Sequence, residues 1–403
     1  MLAVQEQYKG ELIDNILTIS GKVFHGEGPK VGKATVWNIK DPFKANIKFG
    51  LLEQDLKNYE ILVRKTINKI DSYDKFTESS LEDFIDELLV SAVIGRTKEE
   101  ILNELNSILS RIENYNSEVL VYIPIEGLKL QFDNLKIGEI TFKKISQNSI
   151  LKIAGHEAET DWLFAEFRAV AEPPRALERA QKEAEFAMDI LRYALASLGN
   201  SNERYAIGLE GEVGKTISRY PIINSTNTSN DIYSLEVTRG ISNIFINLEK
   251  TLEDSGANEV VNILNMGNTS SDFEKAILRA IQWFSLAEKQ LGNENKILAL
   301  ITCLETFLTS EAGNPIRNTV SEGSAIILEE TLESRKYIKQ RINEFYSQRS
   351  SISHGGGSKN ILDSDIAELK KLVQLFIQNM IKRRSEFKAR KDVLKWIEDQ
   401  KLG

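Results

Sequence analysis

The sequence predicts a multidomain protein in which an α+β N-terminal region precedes an all-α antiparallel helical bundle. Three observations carry this expectation. The chain has 403 residues, more than the usual single domain. Its apolar period is mixed over the first two thirds and purely helical afterwards. Its charge is divided: residues 333–403 sum to +7 and the rest to −15. The expected boundary separates an acidic region, 1–268, from a bundle, 269–403.

In chain order, the first 50 residues read as a β-rich start. ILTISGKVF, KATVWNI and ANIKFGLL are strand-like runs divided by Gly26, Gly28, Pro29 and Pro42. Three helical patterns follow between 52 and 115: Leu52–Tyr73, Ser79–Ile94 and Lys98–Glu113. Thr97 and Glu100 have the spacing of a capping box for the third. From Glu118 the period becomes two. VLVYIPI, LKLQF and GEITFKKI predict a β-meander with turns at Glu126-Gly127 and Asp133-Asn134. Pro174 opens a long helix with an apolar stripe through Ala184, Met188, Leu191 and Leu195. More strands are expected from Tyr205, and 224–231 reads as an exposed tip.

The C-terminal region repeats the helical period. Asp272 is the expected N-cap of a helix carrying Ile277, Ile281 and Phe284. The next helix carries Ile297, Leu300, Ile301, Leu304, Phe307 and Leu308, with Pro315 beyond its end. A helix beginning near Asp363 has Ile366, Leu369, Val373, Phe376 and Met380 on one stripe. Each is too apolar to stand alone, so four or five helices should pack as a bundle. Trp396 and Ile397 are assigned to its core or to a dimer contact.

The chemistry-bearing stretch is QRSSISHGGG, Gln348–Gly357. Ile338, Ile342 and Phe345 mark one buried helix face, and Arg349 lies four residues further along it. On an unbroken helix His354 would lie about 140° from Arg349 around the axis. The serines 350, 351 and 353 and the glycines 355–357 predict unwinding between the two, which lets both side chains face one point. Such a pair suits RNA cleavage by the strand's own 2′-hydroxyl. His354 titrates near neutrality and can act as general acid or base. Arg349 can grip the scissile phosphate and stabilise charge on its oxygens without a metal. The structural alternative is that Arg349 complements the helix dipole and His354 bonds a terminal carbonyl.

From about Asp272 onward the chain resembles the Apea-like branch of the HEPN ribonuclease superfamily. The resembling features are KILALITCLETFLTSE, the small-residue helix NTVSEGSAIILEE, EFYSQRSSISHGG with its Arg, four residues, His spacing, and a long final helix. The strand region with its IPIEGL turn is weakly similar to the segment preceding HEPN domains in that branch. The resemblance implies a HEPN-like bundle and metal-independent endoribonuclease activity. It places Arg349 and His354 in a composite cleft of a homodimer, with Glu305 as the acidic group that orients Arg349. It also implies a role in antiphage defence or toxin-like growth arrest. Ser350 departs from the Asn, Asp or His common after the Arg, so a non-catalytic dimerisation adaptor stays open as the alternative. The N-terminal region would then bind a protein or small ligand; in either reading it could meet a phage or host protein trigger.

Charge and motifs bound the remaining possibilities. Lys382, Arg383, Arg384, Lys388 and Arg390 are the densest part of the basic tail, where an RNA backbone could be guided. The alternative is a solvated helix face. GLEGEVGKT, Gly208–Thr216, imitates a phosphate-binding loop but has five residues between its glycines where four are required. Its strand-like flanks point to a hairpin. His25 has no metal-type neighbours at ligand spacing, and no cofactor or metal is expected. Cys303 lies in an apolar helix and reads as core. The start lacks a basic n-region and no run approaches a membrane span, which predicts a cytoplasmic protein without membrane contact.

Overall fold

The computed structural model describes residues 6–25, 34–39, 47–70, 74–130, 134–145, 162–198, 206–212, 216–223, 230–237, 244–309, 316–353 and 361–402. The chain divides into two compact units, Met1–Leu120 with Arg168–Arg179, and Val121–Phe167 with Ala180–Gly403.

The first unit begins with a helix, α1 (Glu6–Ser20), where strands are expected. Tyr8, Leu12, Ile13, Ile16 and Ile19 are buried, so the 3.6-residue stripe over the whole segment overrides the strand propensity of ILTIS. Thr18 adapts by donating its hydroxyl to the Asp14 carbonyl at 2.7 Å. Strands β1 (Phe24–His25), β2 (Ala34–Ile39) and β3 (Ile47–Leu52) form an antiparallel sheet in the order β1-β3-β2. Helices α2 (Glu53–Ile67), α3 (Glu78–Val93) and α4 (Lys98–Glu113) follow, with α2 ending six residues before the expected Tyr73. The Thr97/Glu100 capping box is present in both directions. Thr77 caps α3 and is itself held by Glu172, which accepts from its amide at 2.7 Å.

Strands β4 (Glu118–Glu126), β5 (Leu128–Leu130), β6 (Asn134–Ile137), β7 (Ile140–Ile145), β8 (Trp162–Val170) and β9 (Gly208–Leu209) replace the expected meander; β4 and β8 are divided between the units and the other four belong to the second. Five of them form one sheet in the order β6-β7-β8-β4-β9. β5 leaves it to pair in parallel with β12 (Ile244–Ile246). Gly127, at φ 80°, makes this departure possible: a Cβ there would lie 1.9 Å from the Ala206 carbonyl oxygen. The expected turn at Asp133-Asn134 falls partly outside the described residues, and a tight turn at Gly138-Glu139 joins β6 to β7. β10 (Thr216–Ile223) and β11 (Asn230–Val237) form an antiparallel hairpin whose tip lies outside the described residues. Helix α5 (Pro173–Ala196) opens on its proline pair, as expected. Two short helices, α6 (Leu248–Asp254) and α7 (Ala257–Met266), precede the C-terminal helices.

Those helices are α8 (Asp272–Lys289), α9 (Asn293–Leu308), α10 (Ile316–Leu328), α11 (Leu332–Ser353), α12 (Asp363–Lys382) and α13 (Arg390–Leu402). They form a helical bundle. Ser271, rather than Asp272, caps α8, because its hydroxyl accepts from the Glu274 amide while Glu274 accepts from the Ser271 amide. α9 is the central member and packs against each of the other five. Its composition explains the position: Ile297, Leu300, Ile301, Cys303, Leu304, Phe307 and Leu308 are buried on all sides. Phe307 meets Phe273 and Phe376 at centroid distances of 5.7 Å. The small residues of α10 allow close approach, since a Cβ on Gly323 would lie 2.8 Å from Leu308 and 3.2 Å from Ile397. The expected single final helix is two, and Ile397 on α13 is buried in the core.

Candidate functional site

Glu305 is a charged residue on the central helix, held at the edge of its apolar surface. Its side chain is 15% exposed and that of Arg349, on α11, 31%. Glu305 Oε1 accepts from the Tyr346 hydroxyl at 2.7 Å, and its Oε2 lies 3.5 Å from Arg349 Nη2. The Arg349 guanidinium also lies 5.7 Å from the centroid of the Tyr346 ring. Burial, followed by the hydrogen bond to Glu305, pushes the Tyr346 hydroxyl up to about 12, so it stays a neutral donor at cellular pH. Arg349 is thus steered by one carboxylate without being saturated: its Nε is buried and has no hydrogen-bond partner among the described residues.

The backbone differs from expectation at this point. α11 stays helical through Ser353, so the helix does not come apart over the serines that follow Arg349. Ser347, one turn earlier, shows how such residues are accommodated, donating its hydroxyl to the Asn343 carbonyl at 2.8 Å. His354 is the next residue and lies outside the described residues, as do Gly355–Gly357.

The basic tail is at the junction of α12 and α13. Arg384 pairs with Glu259 at 3.0 Å, and Arg383 pairs with Glu386 at 3.2 Å while lying over the Trp396 ring. Arg390 is half-buried, and Lys382 and Lys388 are exposed. Cys303 is fully buried, and burial raises its thiol pKa, in keeping with core packing. The loop-like GLEGEVGKT enters strand β10 rather than a helix. Among the described residues there is no group of three or more metal-type side chains, and no helix is long and apolar enough to cross a membrane.

Two polar centres in the second unit escaped sequence reasoning. Arg341 on α11 binds Glu368 through Nε and Nη2, at 3.0 and 2.6 Å, and Asp365 at 3.1 Å. It also pairs with Glu344 and lies over the Phe345 ring, so it fastens α11 to α12. The second is Arg192 on α5, whose side chain is 2% exposed. It donates to the Ile207 carbonyl, Asp189, Ser285 and Glu212 at 2.9–3.2 Å. Lys289 joins Glu185 to Glu212 beside it. Burial pushes Asp189 up to about 6, against the hydrogen bond from Ser285 and the charge of Arg192. Burial acts the same way on Glu212, yet Arg192 and Lys289 hold its carboxyl below the ordinary range. The Glu185, Asp189 and Arg192 spacing put these side chains on one face of α5; their partners on the β9 turn and α8 left no local signal.

Comparison with family models, with characterised proteins and with solved structures finds no match for this chain.

Proposed function

We propose that the chain is a metal-independent endoribonuclease that works as a HEPN-type homodimer in bacterial antiphage defence or toxin-like growth arrest. The observation that carries this reading is the half-buried Arg349 guanidinium, steered by Glu305 within the last two turns of α11 and five residues before His354. Arg349 clamps the scissile phosphate and the developing charge, Glu305 orients it, and His354 moves the proton as general acid or base. The 2′-hydroxyl attacks the adjacent phosphorus and expels the 5′-oxygen, leaving a 2′,3′-cyclic phosphate. The basic residues at the α12–α13 junction guide the RNA backbone, with Lys382 and Lys388 the more exposed members. The N-terminal region recognises a phage or host protein that triggers the nuclease.

A second reading is a non-catalytic HEPN adaptor, in which the bundle supplies dimerisation. It is favoured by the Tyr346 hydroxyl, which takes one oxygen of Glu305 at 2.7 Å, so that Glu305 also ties α9 to α11 as a structural link. One experiment separates the two readings. Purified wild type, Arg349→Ala and His354→Ala are incubated with total cellular RNA in EDTA, and the ends are sequenced. Cyclic-phosphate ends made by wild type alone support the nuclease; cleavage that stops in EDTA or persists in His354→Ala contradicts it.

A further inference from the structure

A second guanidinium stands at the end of the α10–α11 pair that carries Arg349. Two cross-links show that α10 runs antiparallel to α11: Arg317 bonds Asn343, and Glu322 bonds Lys339. The start of α10 is therefore beside the last turns of α11. Arg317 is the second residue of α10 and is exposed.

Arg317 is held without being neutralised. Its Nε donates to the Asn343 side-chain oxygen at 3.1 Å, and it makes no ion pair among the described residues, so both terminal nitrogens stay uncommitted. Other cations of the bundle are treated differently: Lys339, Arg341, Lys370 and Lys401 each meet a carboxylate. The position also works against the fold. A cation in the first turn sits at the positive end of the helix dipole, and α10 has no acidic residue there to offset it. A guanidinium that opposes the dipole, yet is fixed by a neutral amide, is oriented for an anion that the chain does not supply.

The two arms do not converge on one phosphate. Asn343 and Arg349 are six residues apart, about 9 Å along α11 and about 120° around it. Each guanidinium is tied to its own side, one to Asn343 and the other to Glu305. The ligand that matches carries successive anionic groups on a flexible chain.

We infer that Arg317 binds a backbone phosphate flanking the one held by Arg349, on an unpaired strand of RNA. This contact extends the nuclease reading and rests on it. A paired A-form strand keeps the 2′-oxygen out of line with the leaving 5′-oxygen, so the strand at the site is single. Arg317 is a binding residue that reads charge and not base, and the contact carries no sequence preference.

The test uses the full chain with His354→Ala as background, so that bound RNA is not cut. Fluorescence anisotropy follows the binding of a short oligouridylate and a short oligoadenylate over a range of salt concentrations. Arg317→Ala should weaken both about fivefold or more, and should reduce the slope of log affinity against log salt by about 0.7, the value for one phosphate contact on a single strand. Asn343→Asp supplies the missing carboxylate. It should leave the protein at least as stable in a thermal melt, through the new ion pair with Arg317, and still weaken RNA binding; a purely structural role would not split the two readouts. Lys336→Ala removes an exposed charge near the opposite end of α11 and should leave the slope unchanged. The assignment is overturned by absence of RNA binding in the background protein, by an unchanged slope in Arg317→Ala, by full affinity in Asn343→Asp, or by an equal loss in Lys336→Ala. Cleavage by the wild type is read in parallel. A wild type that cuts, beside an Arg317→Ala protein of full affinity, removes the flanking contact and keeps the nuclease. A wild type that does not cut, beside a weakened Arg317→Ala protein, removes the nuclease and keeps the RNA contact.

Discussion

The Glu305 carboxylate on α9 forms an ion pair with the Arg349 guanidinium on α11 at 3.5 Å, the outer limit of a hydrogen bond. The contact aims the guanidinium and leaves most of its donors uncommitted. If the group clamps a phosphate, Arg349→Ala should lower RNA cleavage by two or more orders of magnitude. Arg349→Lys should not restore it, since an ammonium lacks the planar fork. Single-turnover cleavage rates check both.

Tyr346 competes for the same carboxylate. Tyr346→Phe should cost about 1 kcal/mol of stability, because one hydrogen bond is lost and Glu305 is left short of a partner. If Glu305 only positions Arg349, the variant should still cleave, and freeing an oxygen should tighten the Glu305–Arg349 pair. Urea unfolding, read beside the cleavage rate, separates the two effects.

Arg341→Ala should destabilise the bundle by about 2 kcal/mol, since it leaves Glu368, Asp365 and Glu344 facing one another. The loss should depend on pH in a stated direction. Arg341 holds the carboxyls of Glu368 and Glu344 below their ordinary range; for Glu344 the Gln340 amide acts first. Their contribution is present above the unfolded carboxylate pKa and disappears as pH falls through the depressed folded values. Wild type and Arg341→Ala should therefore converge in stability under acid unfolding.

Asp189 runs the other way. With its folded pKa at about 6 and an unfolded value near 3.9, its contribution is present below the unfolded pKa and lost as pH rises through the folded one. Between pH 5 and pH 8 the wild type should lose on the order of 1–2 kcal/mol relative to Asp189→Asn. Unfolding curves of both proteins at several pH values measure the slope, whatever their starting difference.

Gly323 on α10 tests the closeness of packing around the central helix. An alanine methyl meets side-chain ends of Leu308 and Ile397, which can shift but only into a filled core. Overpacking should outweigh the gain in helix propensity and leave Gly323→Ala about 1 kcal/mol less stable. A thermal melt reads this directly.

What the sequence revealed depended on local signals. The capping box at Thr97, the proline pair opening α5 and the apolar stripe of α12 are written within one or two turns, and the structure has them. ILTIS misled because five residues of strand-like composition hid a stripe that starts at Tyr8. β8 was missed because it opens on three successive buried residues, Leu163, Phe164 and Ala165, and only its second half alternates, with Phe167 and Ala169 buried between Glu166, Arg168 and Val170. β5 pairs with β12 more than a hundred residues away, and no turn chemistry announces such a pairing.

The site was legible to a different extent. The spacing of Ile338, Ile342, Phe345 and Arg349 put the guanidinium on the buried side of α11, and the structure holds it half-buried against Glu305. The serines after Arg349 suggested a broken helix, but their preference for other conformations is weak beside the packing of α11, and helix persists through Ser353. The Arg192 centre gathers groups from α5, the β9 turn and α8, with Ser285 lying 93 residues from Arg192. Only tertiary structure brings them together.

The two compact units are not two consecutive stretches of chain: the backbone passes from one to the other at 120/121, 167/168 and 179/180. A truncation that keeps only 269–403 therefore discards residues 121–167 and 180–268, which belong to the same unit. Neither unit can be trimmed away at a single cut, because three covalent crossings stitch one to the other.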